Sequence, residues 1–271
     1  MSLSLPQLEE KATLIRQDII TMLDAAQSGH PGGALGMADM FAALYFSVLN
    51  HRPTEPTWAG RDFLLLSNGH TCPVLYATLA EAGYFPKQEL ATLRQLGSRL
   101  QGHPHRGALA GVEMTSGPLG LGLSQAAGLA SALKLDGKLN RVFAVLSDGE
   151  HQEGQTWEAY MFAGARKLGN LTVLIDRNNI QIGGYVEDFM PINSLKDKLS
   201  AFNWQVLEIN GNDLMAVITA CQEAAVSQLP TAIICNTTPG EGVSFMEGLP
   251  KWHGTPPTHQ QALAALEELK L

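Results

Sequence analysis

Apolar positions recur at three- and four-residue spacing through the first part of the chain and in unbroken short runs through the second. Leu8, Ala12, Ile15, Ile19, Met22, Leu23 and Ala26 predict an amphipathic helix over 7–27. Ser28-Gly29-His30-Pro31-Gly32-Gly33 ends it, and a second apolar helix is expected over 36–48, with Asp39 among its few polar members. The run 63–67 closes on Asn68-Gly69, the pattern of a buried strand and a turn, and a helix is expected over 72–82. Residues 97–122 are rich in glycine and proline and lack periodicity. A loop that long, carrying two histidines, reads as functional.

The second half alternates. Helices are expected over 122–135, 154–168, 213–228 and 258–270, and apolar strands over 142–146, 171–175, 205–209 and 232–235. Continuous apolar strands between helices mean a parallel sheet covered on both faces. The expectation is therefore an α/β protein, a doubly wound, mostly parallel sheet with helices on both faces, in a single domain over 1–271. Ligands of such sheets sit beyond the carboxyl ends of the strands. Four polar or glycine clusters (68–70, 147–150, 176–179 and 236–240) each follow a strand, so they are expected to converge on one rim.

Composition narrows the classes. Hydrophobic residues make up 45%, too many for a disordered chain. The 18 Lys+Arg against 26 Asp+Glu give a net charge of −8 and no basic stripe, which argues against nucleic acid as a partner. No apolar run reaches the ~18 residues of a membrane helix. The first residues lack a basic and an apolar signal segment, so the cytoplasm is expected. Cys72, Cys221 and Cys235 have no metal spacing and read as core residues. The methionines and aromatics between Met22 and Phe46 read as core or interface, His51 as surface, and Glu267-Glu268 as a solvated helix face. Gly120 and Gly122 precede a helix without a strand before them. They could form a phosphate nest but not a dinucleotide fingerprint, so NAD is not expected.

Chemistry concentrates in Asp148-Gly149 and Asn178-Asn179. Asp148 offers a carboxylate and Asn178 an amide oxygen at the tips of successive strands, which lie about 4.8 Å apart if paired. Both oxygens could then reach one small hard cation that is completed by phosphate oxygens. Gly149 would let a backbone N–H face a phosphate, with the following helix pointing its positive end at the anion.

This pair resembles the thiamine-diphosphate signature, with Ser147 in place of its usual first glycine. The surrounding words SGHPGGALGMADM, LLSNGHT, GHP, GPLGLG, SDGEHQEG, LGNLTVLIDRNNIQI and KWHG, in that order, are similar to those of transketolases. The resemblance covers nearly the whole chain but only the amino-terminal, diphosphate-binding part of a transketolase. It implies the N-terminal subunit of a split enzyme, without pyrimidine-binding and C-terminal domains. Such a subunit would move a two-carbon ketol unit from a ketose phosphate to an aldose phosphate, as in the pentose phosphate pathway. It would do so only with a C-terminal partner subunit, in a dimer of heterodimers.

The resemblance also implies roles. Asp148, Asn178 and the main-chain oxygen of Ile180 would ligate Mg²⁺, or Ca²⁺ or Mn²⁺ in its place. His70, His253, Gly117, Leu119 and Gly149 would contact thiamine diphosphate. His30, His103 and His253 would hold the sugar hydroxyls and stabilise alkoxides, with His103 near the proton transferred, and His70 would line the channel. Imidazoles suit these tasks. Glu153 and Glu158 would join a carboxylate network across the subunit interface. The chain departs from the pattern at His105, where an acid is usual, at Leu121, where glutamine is usual, and at Gly183, where an aspartate is common. Two other readings stay open on the sequence: the α subunit of a 2-oxo acid dehydrogenase, which the histidines of SGHPGG and KWHG oppose, and a binding homologue without activity.

Overall fold

The structure, a computed structural model, describes residues 3–271. Seven strands form among them: β1 (Phe63–Leu66), β2 (Val142–Ser147), β3 (Leu171–Arg177), β4 (Ile180–Gln181), β5 (Gly184–Tyr185), β6 (Gln205–Asn210) and β7 (Thr231–Asn236). Five of them build one sheet in the order β1-β2-β3-β7-β6, and every pairing in it is parallel. β4 and β5 are a separate antiparallel hairpin. The helices are α1 (Leu5–Ala26), α2 (Pro31–Gly36), α3 (Ala38–Ala43), α4 (Cys72–Glu81), α5 (Gly122–Leu135), α6 (Gly154–Ala165), α7 (Val186–Phe189), α8 (Leu195–Ala201), α9 (Leu214–Val226) and α10 (His259–Glu268).

The two-residue period of the strands divides the core. Leu64, Leu66, Phe143, Val145, Leu174, Ile233 and Cys235 face α1–α4, α9 and α10. Leu65, Val142, Ala144, Leu146, Val173, Ile175, Ala232 and Ile234 face α5, α6 and α8. Both faces of β1, β2, β3 and β7 are covered, which is why these strands read as nearly unbroken apolar runs, whereas the edge strand β6 exposes Glu208 and Asn210. The three cysteines are buried and free. No helix among the described residues is long and apolar enough to cross a membrane.

Several expectations need correction. The helix placed at 36–48 begins earlier, at Pro31, and is broken into α2, α3 and a π-helical turn, Leu44–Val48. Pro31 occupies the first helical turn, where its missing N–H costs nothing, and holds His30 extended (φ −125°, ψ 91°) just outside. The strand expected at 142–146 and the helix expected from 154 stand as β2 and α6, with a short 3₁₀ turn, Gly149–Gln152, between them. The hairpin β4–β5 and the helices α7 and α8 fill what reads in sequence as one loop. His51 is part-buried rather than free on the surface: its Nδ1 lies 3.1 Å from the Tyr84 hydroxyl and its Nε2 2.7 Å from the Tyr45 carbonyl. Both oxygens of Glu268 bind Ser244, so that acid is a tether and not a bare solvated charge.

Candidate active site

The parallel register sets all carboxyl ends on one rim, and two of the four strand-end clusters, 68–70 and 147–150, line a cavity of about 460 Å³ there, while 176–179, with Asn178, and the Asp148 side chain sit behind its wall. The fourth, 236–240, lies beneath as a buttress: the Thr237 hydroxyl donates to Asp176, and the Gly240 N–H donates to the Gly32 carbonyl at 2.8 Å. His30, His70, His103, His253, Gly117, Leu119, Gly149 and Ile180 all line the cavity, together with Glu153, Gln181 and Gly183. Glu158 does not line it; like Glu153 it is exposed, on α6.

Four separate elements deliver the histidines. His30 caps α2, His70 sits in the 3₁₀ turn Gly69–Thr71 ahead of α4, His253 ends the turn Pro250–His253, and His103 lies in the long loop. The rings of His30, His70 and His253 pack with centroids 5.0, 5.2 and 5.7 Å apart. Close backbone approach makes this possible. A Cβ on Gly32 would lie 2.9 Å from the Trp252 carbonyl oxygen, so a side chain there would drive α2 off the His253 turn.

Burial is the main cause that drains proton affinity from all four rings. It takes His30 down to about 4, helped by His253, Arg94 and His103. It holds His70 well below its ordinary value, with His253 and His30 adding to the effect. His253 is lowered by burial and partly restored by the Ile180 backbone, and His103 is lowered by burial and then by Arg94. The cluster is therefore neutral at pH 7. His30 Nδ1 is buried with no hydrogen-bond partner among the described residues.

Beneath the imidazoles lie three fully buried carboxylates, Asp148, Glu150 and Asp176. Asp148 Oδ2 accepts from Arg177 at 2.9 Å and from the Asn179 N–H at 2.6 Å, and Oδ1 accepts from the Gly149 N–H at 2.7 Å. Burial still raises the Asp148 carboxyl above the ordinary range, because one guanidinium offsets it only in part. Asn178 donates to Asp176 at 2.6 Å, and its carbonyl accepts from the Ile180 N–H at 2.9 Å. Burial, with Asp148 adding to it, lifts Asp176 to about 7. Burial lifts Glu150 to about 7 as well. Its Oε1 accepts from the Gly120 N–H at 2.7 Å and from Ser67, while Oε2 has no partner among the described residues.

Sequence reasoning missed Glu150, Asp176 and Arg177 as members of this layer. Their signal was present but faint: a charge directly after an apolar strand is expensive unless something holds it. The phosphate nest suggested by Gly120 and Gly122 does not form, since their N–H groups are spent on Glu150 and Ser67. The Gly149 N–H, expected free for a phosphate, is donated to Asp148 here.

Among the described residues no three His, Cys, Asp or Glu side chains form a metal cage. The donor set nonetheless fits a hard cation completed from outside. The Asp148 Oδ1 and Asn178 Oδ1 atoms each accept one hydrogen bond and keep a second lone pair. Among the three buried carboxylates only Asp148 pairs with a guanidinium, and that one, Arg177, is shared with Glu187, leaving a deficit of positive charge.

Known proteins agree with this geometry. The family model described as transketolase, thiamine diphosphate binding domain, matches residues 8–269. The chain is 40% identical over 264 residues to a 6-deoxy-6-sulfo-D-fructose transketolase subunit of Clostridium sp. (strain MSTE9), covering 97% of this chain and 96% of that one. It is 38% identical over 270 residues to an apulose-4-phosphate transketolase subunit of Actinobacillus succinogenes, with 99% and 98% covered. The crystal structure of a transketolase from Campylobacter jejuni superposes with a TM-score of 0.92 at 36% identity, covering 98% of this chain and 43% of that one. With the α/β sheet, the histidine-lined rim and these matches together, the chain belongs to the transketolase family, as its thiamine-diphosphate-binding domain.

Proposed function

We propose that this chain is the N-terminal subunit of a two-subunit transketolase. With a C-terminal partner, as a dimer of heterodimers, it transfers a two-carbon ketol unit between sugar phosphates of the pentose phosphate type. The observation that carries the proposal is the meeting of four neutral imidazoles above a buried carboxylate layer in one cavity. A binding-only module has no use for four such rings. Relatives named as transketolase subunits, matched end to end, support the division into two chains. The three free, buried cysteines accord with a reducing cytoplasm.

Asp148, Asn178 and the Ile180 carbonyl would hold a divalent cation such as Mg²⁺, and through it the diphosphate of thiamine diphosphate. His70, His253, Gly117, Leu119 and Gly149 would seat the rest of the coenzyme. When bound, the coenzyme supplies the carbanion chemistry. The chain's own groups do the remainder. His30, His103 and His253 bind sugar hydroxyls. Each neutral ring offers one N–H to stabilise an alkoxide and one lone pair to take a proton. His103, which lines the cavity, would lie near the proton transferred from the donor hydroxyl. Glu153 and Glu158, exposed beside the cavity and on α6, would join the carboxylate network of the assembled interface.

The test mixes the purified chain with its C-terminal subunit, Mg²⁺ and thiamine diphosphate. Two-carbon transfer from fructose 6-phosphate or xylulose 5-phosphate is expected, with none from the chain alone. Turnover of pyruvate instead would assign it to 2-oxo acid chemistry, and coenzyme binding without turnover to a non-catalytic role. Apulose 4-phosphate and 6-deoxy-6-sulfofructose belong in the donor panel, because relatives carry those names.

A further inference from the structure

Arg94 stands outside every role described above, yet it touches the turns of two site histidines. Its backbone is left-handed (φ 60°), and its N–H donates to the Leu100 carbonyl at 2.9 Å, closing a tight loop. From there the guanidinium reaches in two directions. Nη1 donates to Ser28 Oγ at 2.9 Å, two residues before His30. Nη2 donates to the Gly102 carbonyl at 3.3 Å, directly before His103. Gly102 is shaped for this contact: a Cβ there would lie 3.0 Å from the guanidinium carbon. The same carbonyl accepts from the Cys72 thiol at 3.3 Å, and Tyr76 donates to the neighbouring Gln101 carbonyl at 2.9 Å. The 101–102 segment is thereby anchored to α4, the helix that follows His70. Among the described residues Arg94 makes no salt bridge, so its charge is not spent on a carboxylate.

We infer that Arg94 is a positioning residue for ketol transfer: one guanidinium fixes the His30 turn to the His103 turn and sets the spacing of the two rings across the cavity. This rests on His30 and His103 being the sugar-facing groups. Only an arginine fits, because its planar fork reaches two acceptors at once, which a lysine ammonium on a flexible stem does not reproduce. The charge also bears on both rings and favours their neutral forms.

The test compares Arg94→Met, Arg94→Lys, Ser28→Ala and Gly102→Ala, each assembled with the C-terminal subunit. Arg94→Met is expected to lower kcat/KM for the ketose donor on the order of 10–100-fold, mostly in kcat, through misplacement of groups that still bind. Thiamine diphosphate affinity stays within about threefold, since neither histidine turn holds the diphosphate. Arg94→Lys recovers part of the loss. Ser28→Ala, which keeps the charge and removes one arm, and Gly102→Ala, which displaces the guanidinium, each give a smaller loss. In the 271-residue chain labelled at histidine nitrogen, the His30 and His103 resonances both move in Arg94→Met while those of His151 do not. Unmoved His30 or His103 resonances overturn the coupling, as does Arg94→Met turnover within about twofold of the parent. If the parent complex transfers no ketol unit, the functional reading fails by itself, and the resonances alone decide whether Arg94 couples the two turns.

Discussion

Half-buried histidines and one fully buried histidine lie on either side of the tip of β2. On the cavity side His30, His70 and His253 crowd together, and His30 Nδ1 finds no partner among the described residues. On the other side His151 is fully buried, and its proton affinity is also pulled down to about 4 by burial. Its ring, however, is fully spoken for: Nδ1 lies 3.0 Å from the Ser147 carbonyl and Nε2 3.0 Å from the Tyr160 hydroxyl, between Trp157 and Tyr160. Both sides are neutral at pH 7, so charge does not separate them. Unspent hydrogen-bonding capacity does. A ring with both nitrogens satisfied is a strut, and a ring with one left over has something to offer a ligand.

The sharpest break between cavity and scaffold comes from the layer beneath. Asp148→Ala in the assembled complex is expected to weaken thiamine diphosphate–Mg²⁺ uptake on the order of 100-fold or more, read by calorimetry. Unchanged uptake would move the coenzyme site elsewhere. His103→Ala is expected next, with kcat lower by about 10²–10⁴-fold and little change in coenzyme affinity.

His151→Leu tests the other side of the comparison. It is expected to cost about 2–4 kcal/mol of stability by leaving Tyr160 and Ser147 without their shared partner, with ligand affinity retained in the folded fraction. It should also flatten the acid limb of stability. His151 titrates near its ordinary 6.5 when unfolded and about 4 when folded. Between those values the unfolded chain binds the extra proton, so this histidine's contribution is complete above 6.5 and lost as pH falls toward 4. Chemical denaturation at a series of pH values should show the parent losing stability more steeply than His151→Leu across that window.

Gly183→Asp gives the smallest effect. A Cβ there would lie 2.7 Å from the Phe189 ring edge, but that ring is exposed and free to swing aside. Stability should change by less than about 1 kcal/mol, while donor preference in competition assays shifts because a charge enters the cavity mouth.

Much of this arrangement is legible without coordinates. Four of the sheet strands, β1, β2, β3 and β7, announce themselves because burial on both faces leaves few polar positions to interrupt them, while the edge strand β6 shows through its alternation of Val206, Leu207 and Ile209 with Glu208 and Asn210. The histidines are legible because glycines cluster around them wherever backbone must come close, as at Gly32. The wiring beneath is not. Ser67 meets Glu150 across 83 residues, and Arg177 meets Asp148 across 29. Pairings of that span leave no period in a sequence. The hairpin at 180–185 escapes for a different reason: two-residue strands are too short to show an alternation. Pro31 reads in sequence as the end of one helix, yet it also begins the next.

The strand order carries a consequence for biosynthesis. β7, the last strand made, lies between β3 and β6, and among the described residues β6 has no other neighbour in the sheet. A nascent chain leaving the ribosome thus holds an unattached β6 and an open β3 edge until residue 236 emerges. Closure of the sheet waits for β7, which ends at Asn236, and during that wait the gap is the place where a chaperone or a stray strand would bind.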